Sequence, residues 1–216
     1  KVLASEKMRG RGTGSKELET AADWIAKEFK AAGLKPVNGS YFQKFPVTTH
    51  AKLGGGNRLT LSFDGKKESL EFDKDFIPLN FTGAGDASGE VVFVGYGITA
   101  PEYNYDDYAG IDVKDKIVVF FRREPQEADD KSPFAGRVYT RHAQFDSKAT
   151  NAKLHGAKAA IVLSDILGSG SGDLEKFAKN AGPANAGIPF LMMKAEAGEK
   201  LLEKAGKNLR DIYRDI

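Results

Sequence analysis

Three histidines, His50, His142 and His155, are the side chains in this sequence best suited to zinc ligation or to proton transfer near neutral pH. None stands in a His-x-Asp or His-Glu-x-x-His arrangement, and no Glu-Glu pair exists. The converging ligand set of a metal hydrolase is therefore not visible. Two carboxylate pairs, Asp106-Asp107 and Asp129-Asp130, carry oxygens that a hard cation accepts, although adjacent loop carboxylates are more often simply hydrated. Gly168-Ser169-Gly170-Ser171-Gly172 matches Gly-x-Ser-x-Gly in form. A nucleophile elbow needs a strand–turn–helix setting, and this run is low in complexity. A Ser-His-Asp triad built from distant positions stays open and would use Ser169 or Ser171. The residues by themselves point to no catalytic residue and no metal ligand.

Composition narrows the classes further. Lysine and arginine number 32 against 30 acids, a net charge of +2 over 216 residues, which is too balanced for a nucleic-acid footprint. Lys66-Lys67 and Arg122-Arg123 read as solvated face rather than as a phosphate clamp. Cysteine is absent, which excludes disulfides and thiolate zinc sites. No apolar run approaches the ~18 residues of a membrane helix. Lys1 leads straight into a polar segment with Met8 internal, so no signal peptide is read and the ends are not taken as natural.

The chain is organised around Glu90–Pro125. Two apolar runs, Val91–Val94 and Ile117–Phe121, are short and β-branched, as buried strands are. Between them lies a polar, tyrosine-rich loop, Thr99–Gly110. Gly95 and Gly97 bracket Tyr96 and permit a sharp bend. Strand plus Gly-Tyr-Gly imitates a dinucleotide fold, but the third glycine is missing and Pro101 follows. Tyr103, Tyr105 and Tyr108 supply rigid amphipathic area for recognition. Asp106, Asp107, Arg122 and Arg141 add charged groups to the same candidate contact surface. The competing reading stacks these tyrosines on the domain's own sheet.

Other elements must position this stretch. Ser15–Ala32 predicts a helix capped by Ser15, with an apolar stripe of Leu18, Ala22, Ile25 and Phe29, and Gly33 ends it. That stripe requires a packing partner, and Trp24 and Phe29 are expected in a core. Tyr41–Thr49 predicts a strand, and Arg58–Phe72 a hairpin turning on Asp64-Gly65. Arg122–Gln144 is a long polar loop of the kind that is usually functional or mobile. A helix over 145–155 is expected to bury Phe145, Ala149, Ala152 and Leu154. Strands over Ala159–Leu163 and Ile188–Met193 and a helix over Ala195–Ala205 follow. A helical pattern over Leu209–Ile216 then breaks off, as if cut.

Several segments taken together resemble a known family. They are Gly95-Tyr96-Gly97, the acidic tyrosine loop, Gly110-Ile111-Asp112-Val113-Lys114-Asp115-Lys116-Ile117-Val118-Val119, and Lys148-x-x-x-Ala152-x-x-x-Gly156-Ala157. Ala160-Ile161-Val162 and Ile188-Pro189-Phe190-Leu191 before Leu201-Leu202 complete the order. This resembles the protease-associated domain. Gly10-Arg11-Gly12-Thr13-Gly14-Ser15, with Ala21-Ala22-Asp23-Trp24-Ile25 and Gly33-Leu34, looks like the opening helix of the zinc exopeptidases that carry this domain as an insertion. The family includes aminopeptidases and glutamate-carboxypeptidase-like enzymes.

The resemblance implies an α+β fold. A protease-associated β-barrel or sandwich with flanking helices would be preceded by one amphipathic helix of a peptidase domain. Residues 1–45 would belong to the peptidase domain, 46–205 to the protease-associated domain and 206–216 to the return. It also implies a secreted or periplasmic two-zinc exopeptidase whose ligands lie after the insertion, so no zinc, no cofactor and no hydrolysis are expected of this chain alone. The expected partners are its own C-terminal peptidase domain and a peptide or protein substrate, with no nucleic acid and no membrane span. The alternative is a free-standing peptide- or protein-binding module. With its peptidase partner missing, the Leu18–Phe29 stripe is expected to pack opportunistically, for instance on the C-terminal helix.

Overall fold

Three neighbouring strands that are apolar on both faces decide the architecture. A computed structural model describes residues 2–45, 50–127, 129–165, 170–178, 185–209 and 211–212. In chain order the elements are α1 (Lys16–Ala31), β1 (Leu59–Phe63), β2 (Lys66–Leu70), β3 (Phe76–Pro78), β4 (Val91–Phe93), β5 (Thr99–Ala100), β6 (Tyr105–Asp106), β7 (Ile117–Phe121), α2 (Phe145–Leu154), β8 (Ala159–Leu163), β9 (Phe190–Met193) and α3 (Ala195–Lys204). They fall into two units, Lys1–His50 with Asn180–Pro183, and Ala51–Lys179 with Ala184–Ile216. None of the described helices is long and apolar enough to cross a membrane.

The second unit is built on a five-stranded sheet of order β3-β9-β8-β7-β4. β4, β7, β8 and β9 run parallel, and β3 joins the β9 edge antiparallel. Successive strand side chains point to opposite faces. Val118, Phe120, Ala160, Val162, Phe190 and Met192 therefore meet Ala149 and Ala152 of α2 on one face. Val119, Phe121, Ile161, Leu163 and Met193 meet Leu201 and Leu202 of α3 and Leu61 of β1 on the other. Burial on both faces explains why β7 and β8 read as unbroken apolar runs. The result is the mixed α+β fold, with strands in one large sheet and two ribbons, β1-β2 and β5-β6. The β1-β2 turn places Asp64 and Gly65 at φ 47° and 79°, as the Asp-Gly signal predicts.

Several expectations need correction. Leu154 is 79% exposed and does not join the core; Lys148, one turn before Ala152, occupies the buried face of α2 instead. β3 was not anticipated from the sequence. Thr99–Gly110 is not plain loop, because β5 and β6 pair across a single 3-10 turn at Pro101–Tyr103.

In the first unit the Ser15 hydroxyl caps α1 by accepting from the Leu18 amide at 3.2 Å. Gly33, at φ 76°, ends the helix as expected. The stripe is not packed: Leu18, Ile25 and Phe29 are 40%, 37% and 44% exposed. Phe29 touches the Tyr41 ring at 6.5 Å rather than entering a core, and Trp24 is half-buried. Residues 41–45 form no strand, and 46–49 lie outside the described residues.

Candidate functional site

The glycine-bracketed turn at Tyr96 is the hub of the site. Gly95 and Gly97 adopt φ 46° and 68°. A Cβ on Gly95 would lie 2.1 Å from the Asp107 carboxylate, and one on Gly97 2.8 Å from the Phe120 ring. The missing side chain at Gly97 makes room for the Phe120 ring, and the one missing at Gly95 lets Asp107 enter the turn. Its Oδ2 accepts from the Tyr96 and Ile98 amides at 3.0 Å each, and its Oδ1 accepts from the Tyr105 hydroxyl at 2.7 Å. From the α2 side, Lys148 Nζ donates to the Tyr96 carbonyl. Asn151 Nδ2 donates to the Gly97 carbonyl at 3.0 Å and to Thr99 Oγ1 at 3.3 Å. Thr99 in turn donates to Asp106 Oδ1 at 2.8 Å, which also accepts from the Tyr108 amide.

Burial dominates the electrostatics. Lys148 is 1% exposed and lies 5.7 Å from both the Tyr96 and Phe120 ring centres. Removal from water pushes its ammonium down to about 7, against the opposing pull of Asp107 and Glu124. Burial also raises Asp107, although its hydrogen bonds and Lys148 oppose the rise. In both groups burial is the leading cause, and the attraction between the two opposes it. Burial likewise raises the Tyr105 and Tyr108 phenols.

Between residues 97–99 and α2 lies an open groove of about 290 Å³. Its lining includes Arg141 and His142 from before α2, and Ser147, Asn151 and Leu154 of α2. At the mouth, His142 Nε2 lies 2.8 Å from Glu102 Oε1, and an Arg141 nitrogen approaches the same oxygen at 3.8 Å. The bond from His142, aided by the Arg141 charge, holds Glu102 below the usual carboxylate range. The groove thus offers the Arg141 cation, the Asp146 carboxylate, hydroxyls of Thr99, Ser147 and Thr150, the Asn151 amide, and two apolar side chains, Ile98 and Leu154. Such a surface can hold a polar chain segment.

The expected site residues divide sharply. Tyr103 meets the Phe134 ring at a tilt, centroids 4.9 Å apart, and Tyr105 meets it edge to face at 5.1 Å, and Phe134 is 2% exposed. Tyr108 is 4% exposed and lies flat on His155 at 4.1 Å. Tyr108 and Asp107 are therefore spent on the fold, and the structure does not offer them to a ligand. Arg122 pairs with Glu175 and approaches Asp165 at 3.7 Å, while Arg123 holds Asp165 at 2.9 Å and Glu127 at 3.0 Å. This corrects the solvated-face reading of the arginine pair, which ties loop to loop. Arg141, 80% exposed at the side chain, stays available beside the groove, and Asp106 remains at the surface of the tyrosine loop.

Asp129 caps the Lys131 amide at 2.8 Å and Asp130 pairs with Arg137 at 3.2 Å. Among the described residues no group of three or more histidines or carboxylates is placed to hold a metal ion. Ser171 Oγ accepts from the Asp173 amide at 3.3 Å, and Ser169 lies outside the described residues. The sequence reading missed Lys148, Asn151, Phe134 and Glu124. Glu124 is 1% exposed and accepts from the Thr140 amide and hydroxyl at 3.0 and 2.6 Å. Spacing could have found Lys148, since it lies four residues before Ala152 on the apolar face.

A five-stranded sheet buried on both faces, with an open groove beside α2, defines the class as an α+β domain. The PA domain family matches residues 87–201, more than half of the 216-residue chain, and the chain belongs to that family. It is a protease-associated domain. No curated protein matches. Among solved structures, the aminopeptidase from Aneurinibacillus sp. strain AM-1 is similar at 19% identity and a TM-score of 0.46, over 93% of this chain and 40% of that one. BSAP, a zinc aminopeptidase from Bacillus subtilis, is similar at 18% identity and a TM-score of 0.37, over 94% and 40%. The chain thus spans 40% of the length of either aminopeptidase.

Proposed function

We propose that this chain is the protease-associated portion of a secreted or periplasmic zinc-dependent exopeptidase of the aminopeptidase class. In that enzyme it flanks the active site and selects peptide substrates or binds protein partners. Membership of the PA domain family over 87–201 carries the reading. Residues 1–45 and 206–216 are assigned to the peptidase domain, together with zinc and the chemistry. The uncovered α1 stripe supports the first of these assignments, since an amphipathic helix normally buries such a face. Within 46–205 the groove beside α2, lined by Arg141, is the proposed contact surface, and Tyr103, Tyr105 and Asp106 of the tyrosine loop are proposed as further contacts.

The test compares this chain with a longer protein that continues into the downstream coding sequence. Both are assayed for zinc content and aminoacyl-amide hydrolysis. Zinc and turnover in the longer protein only are expected. In that protein Arg141→Ala should raise KM for peptides several-fold with little change in kcat, the signature of lost substrate binding. Stoichiometric zinc with turnover by this chain alone would overturn the assignment, and an unchanged KM would remove the groove from it.

A further inference from the structure

We infer that Asn38 is a self-modifying position, at which the structure exposes the sequence's one Asn-Gly step to deamidation and couples the product to the end of α1. The step forms a two-residue reversal: Val37 bridges Ser40, and the Ser40 amide donates to the Val37 carbonyl at 3.0 Å. Asn38 and Gly39 both lie in the left-handed region, at φ 50° and 78°. Both are exposed, and nothing approaches within 4 Å of where a Gly39 Cβ would stand. Among the described residues neither the Asn38 side-chain amide nor the Gly39 amide nitrogen makes a hydrogen bond. Nucleophile and electrophile are thus adjacent, unhindered and unheld. Glycine adds the backbone freedom that lets its nitrogen swing onto the carboxamide.

The chemistry needs only water. The Gly39 nitrogen gives up its proton and bonds to Asn38 Cγ. The Cγ–Nδ2 bond breaks, and the amide leaves as ammonia with the proton acquired. Water then opens the resulting succinimide at one carbonyl or the other, giving aspartate or isoaspartate. A neutral side chain becomes an anion, and isoaspartate also lengthens the backbone by one carbon.

That length matters here because the reversal aims Tyr41 back at α1. The Tyr41 hydroxyl donates to the Leu34 carbonyl at 2.6 Å, and its ring meets Phe29. A longer turn draws Tyr41 off both contacts and loosens the helix end. Two positions of related chemistry lack this freedom. Asn104, at φ 53°, precedes Tyr105, whose residue is paired in β6, and Asp64-Gly65 closes a hairpin of five paired residues on each side.

The experiment incubates the intact chain at mildly alkaline pH and follows each asparagine by peptide mass mapping, with a parallel sample in denaturant. Asn38 is expected to convert before Asn104 and Asn185, faster as pH rises, and with isoaspartate detected by isoaspartate-specific methyl transfer. Asn38→Gln should abolish the conversion, because a six-membered ring closes far less readily. Retention of the Asn38 amide in the folded chain while it is lost in denaturant would overturn the inference. Hydrogen exchange over 29–41 tests the coupling. It should rise in the isoaspartate form and not in Asn38→Asp, and equal exchange in the two would refute the link to α1.

Discussion

At the scale of single residues, Lys148 is the group that most constrains the site. Its ordinary value of 10.5 falls to about 7 in the fold because burial penalises the ammonium. Between those two pH values the unfolded chain holds a proton that the folded chain lacks, so stability climbs as pH rises from about 7 toward 10.5. Below about 7 both states are charged and the penalty is at full size. Lys148→Met should therefore be more stable than the parent at pH 6 by an amount on the order of a few kcal/mol, and the advantage should shrink across that window. Urea unfolding at acidic and alkaline pH measures this; an advantage independent of pH would mean that Lys148 titrates normally. Asp107 plays the opposite part. Asp107→Ala strands the Tyr96 and Ile98 amides and the Tyr105 hydroxyl, at about 1–3 kcal/mol for each donor left buried and unmet. Asp107→Asn keeps one acceptor and should cost less, which the same unfolding curves resolve.

At the scale of elements, Phe134 joins the long Arg122–Gln144 segment to the tyrosine ribbon. It packs on Tyr103 and Tyr105 and comes within 6.4 Å of the His142 ring. Phe134→Ala should cost roughly 3–5 kcal/mol, as for a buried aromatic, and should speed hydrogen exchange in both segments together. Faster exchange in only one would show that they are held separately. The sequence made some of this legible and not the rest, for physical reasons. Ile117–Phe121 and Ala159–Leu163 announce themselves as strands because both of their faces are buried. β3 is three residues with a proline, and it becomes a strand only through its pairing with β9. The tyrosine loop was visible as the place of interest, but the roles of its members were not. Asp107 turns inward only because Gly95 leaves it room, a relation across twelve residues that no local pattern carries. Polar character hid the loop's packing as well, since Phe134 and Glu124 are buried within a segment that reads as hydrated.

At the scale of the whole chain, both core clusters draw on residues from Leu59 onward. Every strand of the five-stranded sheet and both helices packed on it belong to the second unit. The first unit contributes Met8 and Ala21 to the buried set, and Leu18, Ile25 and Phe29 of its α1 stripe are each more than a third exposed. Unfolding energy scales with the apolar area removed from water, so it should reside in the second unit. A chain trimmed to residues 51–216 should then unfold cooperatively, with a Tm within a few degrees of the parent, roughly the shift that about 1 kcal/mol produces in a domain of this size. Hydrogen exchange in β7 and β8 should be unchanged, while in the parent α1 should exchange far faster than either strand. Slow exchange in α1, or loss of cooperative unfolding on trimming, would show that the stripe is buried in solution and that residues 1–50 are part of the folding unit.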